Sequence, residues 1–245
     1  MSAAPLSLRG IHKSFGAKQV LRGLDAEVQA GEIFSIVGPS GAGKTTALRL
    51  LDLLDSPDAG RITFHGKSYP IRSPESLAQR RRMALVMQNP TVFRATAFEN
   101  VAYGLWLRGV PDAELRGRVF AGLDFVGLLE AAKDPAEKLS GGEQQRIAFA
   151  RAAVLNPEIL LLDEFTANLD PFNVRLLEQS ILRYRHETGC TVVIVTHNLF
   201  QAKRLADRVA LLLDGRFVEV APAADFFEHP TRAETRAFLS GEMAY

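Results

Sequence analysis

The apolar stretch Ile33-Phe34-Ser35-Ile36-Val37 runs straight into Gly38-Pro39-Ser40-Gly41-Ala42-Gly43-Lys44-Thr45-Thr46. From Thr45 to Leu54 the spacing predicts a helix with Leu48, Leu51 and Leu54 along one side. A buried strand, a glycine-rich turn and a helix in that order allow few folds, because the helix must return over a parallel sheet. They also point to one kind of ligand. A turn from Gly38 to Gly43 exposes backbone N–H groups, and the helix beginning near Lys44 adds its positive end, which together suit a polyphosphate. Glycines at 41 and 43 let the backbone approach the phosphates without a Cβ in the way. Lys44 is placed to follow the β- and γ-phosphate charge, and the Thr45 hydroxyl to ligate Mg²⁺.

Other apolar runs supply the rest of such a sheet. Met83 to Met87, Ile159 to Leu162 and Thr191 to Val195 are the short, uninterrupted runs expected of parallel strands covered on both faces. Arg208 to Leu213 adds another, turning at Asp214-Gly215. Leu6 to Ile11 and Val20 to Val28 alternate loosely, and Asp58-Ala59-Gly60 opens a hairpin-like segment that turns again at His65-Gly66-Lys67. Residues 96–155 read as largely helical, with breaks near Gly109-Val110-Pro111 and Lys133-Asp134-Pro135, and the tail as helical around Asp225-Phe226-Phe227 and Arg236 to Leu239. At 245 residues this is one substantial α/β core with room for an inserted subdomain.

Composition excludes more than it selects. No run reaches the 18 apolar residues of a membrane span, and Met1-Ser2-Ala3-Ala4-Pro5 lacks the pattern of a secretory signal. A net charge of +1 gives no broad attraction for nucleic acid or anionic lipid, and Arg80-Arg81-Arg82 reads as a solvated patch. The single cysteine, Cys190, beside the run Thr191 to Val195, reads as a small buried hydrophobe in a reducing compartment.

Chemistry-bearing residues follow the strands, where parallel sheets bind their ligands. Asp163 ends the run from Ile159 and can hold Mg²⁺ through its water shell. Glu164 comes next and is the candidate general base for a water attacking the γ-phosphate. Gln88 follows the run from Met83 and can contact Mg²⁺ or that water. His197, one residue beyond Thr196, can hydrogen-bond the γ-phosphate as a neutral imidazole. His12, His65, His186 and His229 have no metal-ligand spacing and read as surface residues.

A second glycine-rich motif, Leu139-Ser140-Gly141-Gly142-Glu143-Gln144-Gln145-Arg146, opens a helix running through Ala153. It too would suit a γ-phosphate. Since Lys44 already supplies one cradle, the economical arrangement is a two-fold dimer in which each such turn closes over the other subunit's nucleotide.

Taken together, these residues resemble the ATP-binding subunit of an ATP-binding-cassette transporter, over residues 6–240. In that resemblance 38–46 is Walker A, Gln88 the Q-loop glutamine, 139–146 the signature, Ile159 to Asp163 Walker B with Glu164 catalytic, Ala167-Asn168-Leu169-Asp170 the D-loop and His197 the switch histidine. It implies an α/β P-loop NTPase (RecA-like) core, an antiparallel β subdomain and an inserted α-helical subdomain over 90–155, all in one nucleotide-binding domain, 1–245. It implies ATP and Mg²⁺ in a head-to-tail homodimer, gripped by Ser40, Lys44, Thr45, Thr46 and Gln88 of one protomer and Ser140 and Gly142 of the other, with Gly141 between them. Gly38, Pro39, Gly41, Ala42 and Gly43 complete the phosphate loop, and Asp170 lies across the interface. Phe15 takes the position of the aromatic that stacks on adenine, often tyrosine, and Val20 completes the contact with the base. Phe165 stands where proline is usual, and Asn168 where alanine is common.

The resemblance extends to partners. Residues from Pro90 to Ala153 would receive an integral-membrane permease, through Thr91-Val92-Phe93 and a groove including Phe93 and Tyr103. Most of Ala97-Phe98, Val101-Ala102-Tyr103 and Leu105-Trp106-Leu107 is assigned to helical core. The subunit would sit peripherally on the cytoplasmic face of the inner membrane and serve, indirectly, a periplasmic or extracellular solute-binding protein. Asn100 to Leu105, Leu107-Arg108-Gly109 and the ending Thr235 to Tyr245 resemble oxyanion importers, tungstate more closely than phosphate, with polar amino-acid import as the second reading. Ribosomal cassettes usually carry two copies in one chain, and DNA-repair cassettes are split by a long coiled coil.

Overall fold

The computed structural model describes residues 4–69 and 73–242. In chain order the elements are β1 (Leu6–Phe15), β2 (Lys18–Val28), β3 (Ile33–Val37), α1 (Lys44–Leu51), β4 (Ala59–Thr63), α2 (Pro74–Arg80), β5 (Met83–Val86) and α3 (Ala97–Leu107). They continue as α4 (Asp112–Phe125), α5 (Gly141–Ala153), β6 (Ile159–Asp163), α6 (Pro171–Thr188), β7 (Thr191–Thr196), α7 (Leu199–Leu205), β8 (Arg208–Leu213), β9 (Arg216–Pro222), α8 (Ala223–Glu228) and α9 (Ala233–Ser240).

A six-stranded sheet in the order β5-β6-β7-β3-β8-β9 is parallel except for β9. Its strands lack polar alternation because both faces are covered. Phe34, Ile36, Leu161, Val193 and Val195 pack toward α1 and the small sheet, whereas Ile33, Leu160, Leu162, Val192 and Ile194 pack toward α3 to α6. The small sheet, β2-β1-β4, is antiparallel and is stitched to the large one where the Arg22 N–H donates to the Gly215 carbonyl at 2.8 Å. Together these layers give the P-loop NTPase core, antiparallel β subdomain and helical subdomain expected from the sequence.

Several local expectations shift. α1 stops at Leu51, three residues before the reading from leucine spacing. Asp52 closes it, Leu53 turns left-handed at φ 53° and is buried, and Leu54 lies exposed rather than on the helix's apolar side. In α3, Ala97, Val101, Ala102 and Leu105 are core and Phe98 packs against it, as expected for most of this run, while Trp106 and Leu107, also assigned to core, face solvent. Arg82 pairs with Glu158, and Arg80 is half-buried rather than fully solvated. The ending read as oxyanion-importer-like is helical over Ala233–Ser240; its residues 243–245 lie outside the described residues.

Candidate active site

Four strand ends in spatial order deliver the chemistry. β5 leads to Gln88, β6 ends in Asp163 with Glu164 next, β7 leads through Thr196 to His197, and β3 opens into the loop 38–43. Parallel register puts these ends on one edge, so residues more than 100 positions apart in sequence become neighbours.

Lys44 is almost fully buried, and its ammonium donates to the carbonyls of Gly38 and Pro39, both at 2.8 Å. Burial pulls its pKa below the ordinary lysine value, opposed by the nearby carboxylates of Glu164 and Asp163. The Thr45 hydroxyl donates to Asp163 Oδ1 at 3.2 Å. Burial lifts the Asp163 carboxyl above its ordinary value, against the Thr45 bond, and the Glu164 charge lifts it further. Glu164 Oε1 lies 3.8 Å from Lys44 Nζ, and Glu164 Oε2 lies 3.2 Å from His197 Nδ1. Glu164 reaches both because the chain turns sharply after β6: its φ is 42°, and its N–H donates to the Val195 carbonyl at 2.8 Å. A left-handed φ is costly for a residue with a Cβ and marks a position held by its surroundings.

The structure thus brings Lys44, Thr45, Asp163, Glu164 and His197 into one polar cluster, with Gly38 and Pro39 tethering the lysine. Ser40 and Gly41 lie exposed on the loop, Ala42 is buried, and Thr46 follows in the first turn of α1. Gly43 has φ 103°, and a Cβ there would come within 3.0 Å of Val20 Cγ1 and 2.8 Å of Leu21 Cδ2, so Val20 sits directly against the phosphate loop. Phe15 is a half-exposed ring at the end of β1, with Lys13 Nζ 5.4 Å from its centroid. Gln88 is half-buried beyond β5, outside the hydrogen-bonded cluster.

Ser140, Gly141 and Gly142 stand apart from Lys44. α5, which they begin, packs against α3, α4, α6 and β5. The Ser140 hydroxyl donates to Glu143 Oε2 at 2.7 Å and accepts from the Glu143 N–H at 3.3 Å, a capping box that holds the Glu143 carboxyl below its ordinary value. Ser140 and Gly141 are exposed, leaving the positive end of a 13-residue helix facing outward. Asp170 caps α6, accepting from the N–H groups of Phe172 at 2.9 Å and Asn173 at 3.0 Å, and these bonds with the Asn173 amide hold its carboxyl low. Phe165 is buried in the core, and Asn168 has φ 65°, a conformation asparagine adopts at lower cost than a β-branched side chain.

Three residues that sequence reasoning passed over join these parts. Gln145 Nε2 donates to the Met87 carbonyl at 3.1 Å, tying α5 to the residue before Gln88. Asn173 lies where a Cβ on Gly142 would be, 2.4 Å from its Cγ. Gln201 links α7 to Thr166 and Glu178. Gln145 lies inside the signature itself, the one available signal; the other two are visible only once the helices are assembled.

A phosphate loop at the end of a parallel strand, with an acidic pair and a histidine on neighbouring strand ends, defines a P-loop ATPase. The donors fit Mg²⁺: a hydroxyl and a carboxylate, both hard oxygen ligands, lie within hydrogen-bond distance of each other. The chain belongs to the ABC transporter family, whose profile matches residues 21–167. It is 42% identical to a phosphate import ATP-binding protein of Natronomonas pharaonis, over 98% of this chain and 88% of that one. It is 38% identical to a probable anion import ATP-binding protein of Haloferax volcanii, over 100% and 89%. A methionine import ATP-binding protein of Listeria monocytogenes is 37% identical, over 98% and 73%. Among solved structures, cbiO1 of Clostridium perfringens, part of the ABC transporter complex cbiONQ, superposes with a TM-score of 0.86 at 26% identity, over 98% of this chain and all of that one. An ATP-binding cassette solved as a dimer in a post-hydrolysis state with ADP and Pi superposes at 0.80 with 30% identity, over 89% and 98%. The protein is an ATP-hydrolysing cassette that works with ATP and Mg²⁺.

Proposed function

We propose that this ATPase powers solute import through a separate membrane permease, with ATP held between two copies of the chain. The carrying observation is the strand-end cluster of Lys44, Thr45, Asp163, Glu164 and His197, in a chain 42% identical to an import ATPase. In this reading Lys44 and the N–H groups of residues 38–46 bind the β- and γ-phosphates. Thr45, Asp163 and Gln88 hold Mg²⁺, which when bound offsets phosphate charge. Glu164 takes a proton from the water that attacks the γ-phosphorus as the bond to ADP breaks, and His197 hydrogen-bonds the γ-phosphoryl oxygens. Phe15 and Val20 meet the base. Ser140, Gly141 and Gly142 act on the partner's nucleotide, as their outward-facing helix end suggests, and Asp170 lies across the same interface. The relative solved as an ADP- and Pi-bound dimer supports this geometry.

Residues 90–155 would form the permease-facing subdomain. Phe93 and Tyr103 pack at 4.6 Å between centroids with their rings tilted by 46°, and Arg151 lies 5.1 Å over Phe93 while donating to the Thr91 carbonyl. No helix among the described residues is long and apolar enough to cross a membrane, which fits a peripheral subunit at the cytoplasmic face. The solute is left between two classes. Phosphate and anion importers among the relatives support an oxyanion, but none of those described is named for tungstate; methionine importers recur and favour amino-acid import, although the second sequence reading is a polar amino acid and methionine is apolar. Co-purification with candidate permeases, then ATPase measurement with loaded solute-binding proteins, tests this. Stimulation by a phosphate- or tungstate-loaded protein selects the oxyanion, stimulation by a methionine-loaded one selects the amino acid, and no association with any permease refutes import.

A further inference from the structure

His197 lies two residues before the start of α7, and α7 carries a buried polar side chain that the proposed nucleotide chemistry does not use. Gln201 is fully buried. Its Nε2 donates to Thr166 Oγ1 at 2.7 Å and to Glu178 Oε1 at 3.2 Å. Glu178 is itself nearly fully buried on α6 and is gripped by Arg204, which donates through Nε at 3.0 Å and Nη2 at 2.6 Å. An ionised carboxylate only accepts, so the Gln201 group facing it must be the NH₂ and not the carbonyl, which fixes the amide orientation. Gln201 and Arg204, one turn apart on α7, therefore clamp Glu178 from the same helix face.

Each member leads to a segment of the site. Thr166 is two residues beyond Glu164, Gln201 four beyond His197, and Glu178 lies on the helix that Asp170 caps. Among the described residues the Gln201 carbonyl oxygen is buried without a partner. An unpaired buried acceptor costs stability, which the two bonds donated by the amide NH₂ offset. Leucine at this position would remove both bonds and leave the buried Glu178 carboxylate one donor short. We propose that Gln201 is a positioning residue for ATP hydrolysis: its amide, anchored by the Arg204–Glu178 pair, holds Thr166 and so keeps Glu164 in register with His197. The inference rests on the reading that Glu164 and His197 act at the γ-phosphate.

The test is a double-mutant cycle on the full chain with Gln201→Leu, Thr166→Val and the pair, measuring steady-state ATPase, ATP affinity and thermal unfolding. The expected result is a kcat loss of about 5- to 20-fold for either single variant, with KM for ATP unchanged and no further loss in the double variant, since each breaks the Gln201–Thr166 bond. Gln201→Leu should unfold at a lower temperature, because it takes a donor from the buried Glu178 carboxylate as well as from Thr166; Thr166→Val leaves the Glu178 bond in place and controls for that loss. Wild-type kcat in either folded variant, additive losses, or a KM rise matching the kcat fall would each overturn the proposal. If Gln201→Leu does not fold, Thr166→Val, at a half-buried position, decides alone by the same criterion. Glu164→Gln in the same assay separates the two readings. Turnover lost there but intact in Gln201→Leu sinks the positioning role only; turnover intact in Glu164→Gln sinks the general-base role and the inference with it.

Discussion

The two glycine-rich turns have the same chemistry and opposite relations to the chain that carries them. At 38–46 every strong group has an internal partner: Lys44 bonds two loop carbonyls, Thr45 bonds Asp163, and the cationic end-group is buried beside two carboxylates. At 139–146 the bonds of Ser140 and Glu143 cap the helix, Gln145 and Arg146 tie it to the Met87 and Val126 carbonyls, and the capped end faces solvent. The first turn is completed by its own sheet; the second is finished as a helix and still presents its N-terminal dipole outward. In the proposed dimer, chemistry assembled within one subunit and recognition offered to another would thus sit about 100 residues apart in the same chain.

The sharpest way to break this contrast is to remove the proton acceptor. Glu164→Gln is expected to lower ATPase kcat roughly 10³-fold while ATP still binds and the dimer accumulates, read by turnover and by size in saturating MgATP. Lys44→Ala attacks the self-contained half and should weaken ATP binding by about 3 kcal/mol, roughly 200-fold, in calorimetry. Unchanged affinity would remove the lysine from the phosphate site.

A smaller effect tests how much strain the first half carries. Asp52 closes α1, and burial pushes its carboxyl up to about 6, with Arg80 opposing. Asp52 then binds a proton more tightly in the folded state than in the unfolded chain, so its own contribution to stability is fullest below pH 4 and is lost as pH rises through 6, and the Asp52→Asn difference isolates it from the carboxylates held low. The expected loss between pH 4 and pH 7 is about 2–3 kcal/mol in urea denaturation, abolished in Asp52→Asn. Ser140→Ala should have the least effect on the lone subunit, about 1 kcal/mol of stability, with ATP affinity of the monomer unchanged. An affinity loss there would place the second turn in its own subunit's site and erase the contrast.

What sequence conveyed divides along a similar line. Strand ends were legible because Ile33 to Val37, Ile159 to Asp163 and Thr191 to Thr196 are buried on both faces and read as unbroken apolar runs stopped by glycine, acid or histidine. The catalytic candidates fall at those stops, so they were legible too. α6, an 18-residue helix, was not expected, because its buried Leu177, Ile181 and Tyr184 are interleaved with Arg175, Glu178, Arg183 and Arg185, and Glu178 is itself a buried member of the core-facing side. α7 has only seven residues, too few for a period to declare itself. β9 is the antiparallel edge strand, half-buried through most of its length, with none of the parallel strands' apolar continuity. Gln201 could not be singled out either, because its partners lie on α6 and in the turn after β6.

The contact of Gly142 with Asn173 bears on how faults in this protein would be diagnosed. The amide that fills the missing Cβ's place is tied to the Asp170 carboxylate, so it cannot swing aside cheaply when a methyl group arrives. Gly142→Ala would therefore damage the joinery of a single subunit before any question of pairing arises. A nucleotide-handling defect in that variant would report first on carpentry, and only after that on conversation between copies.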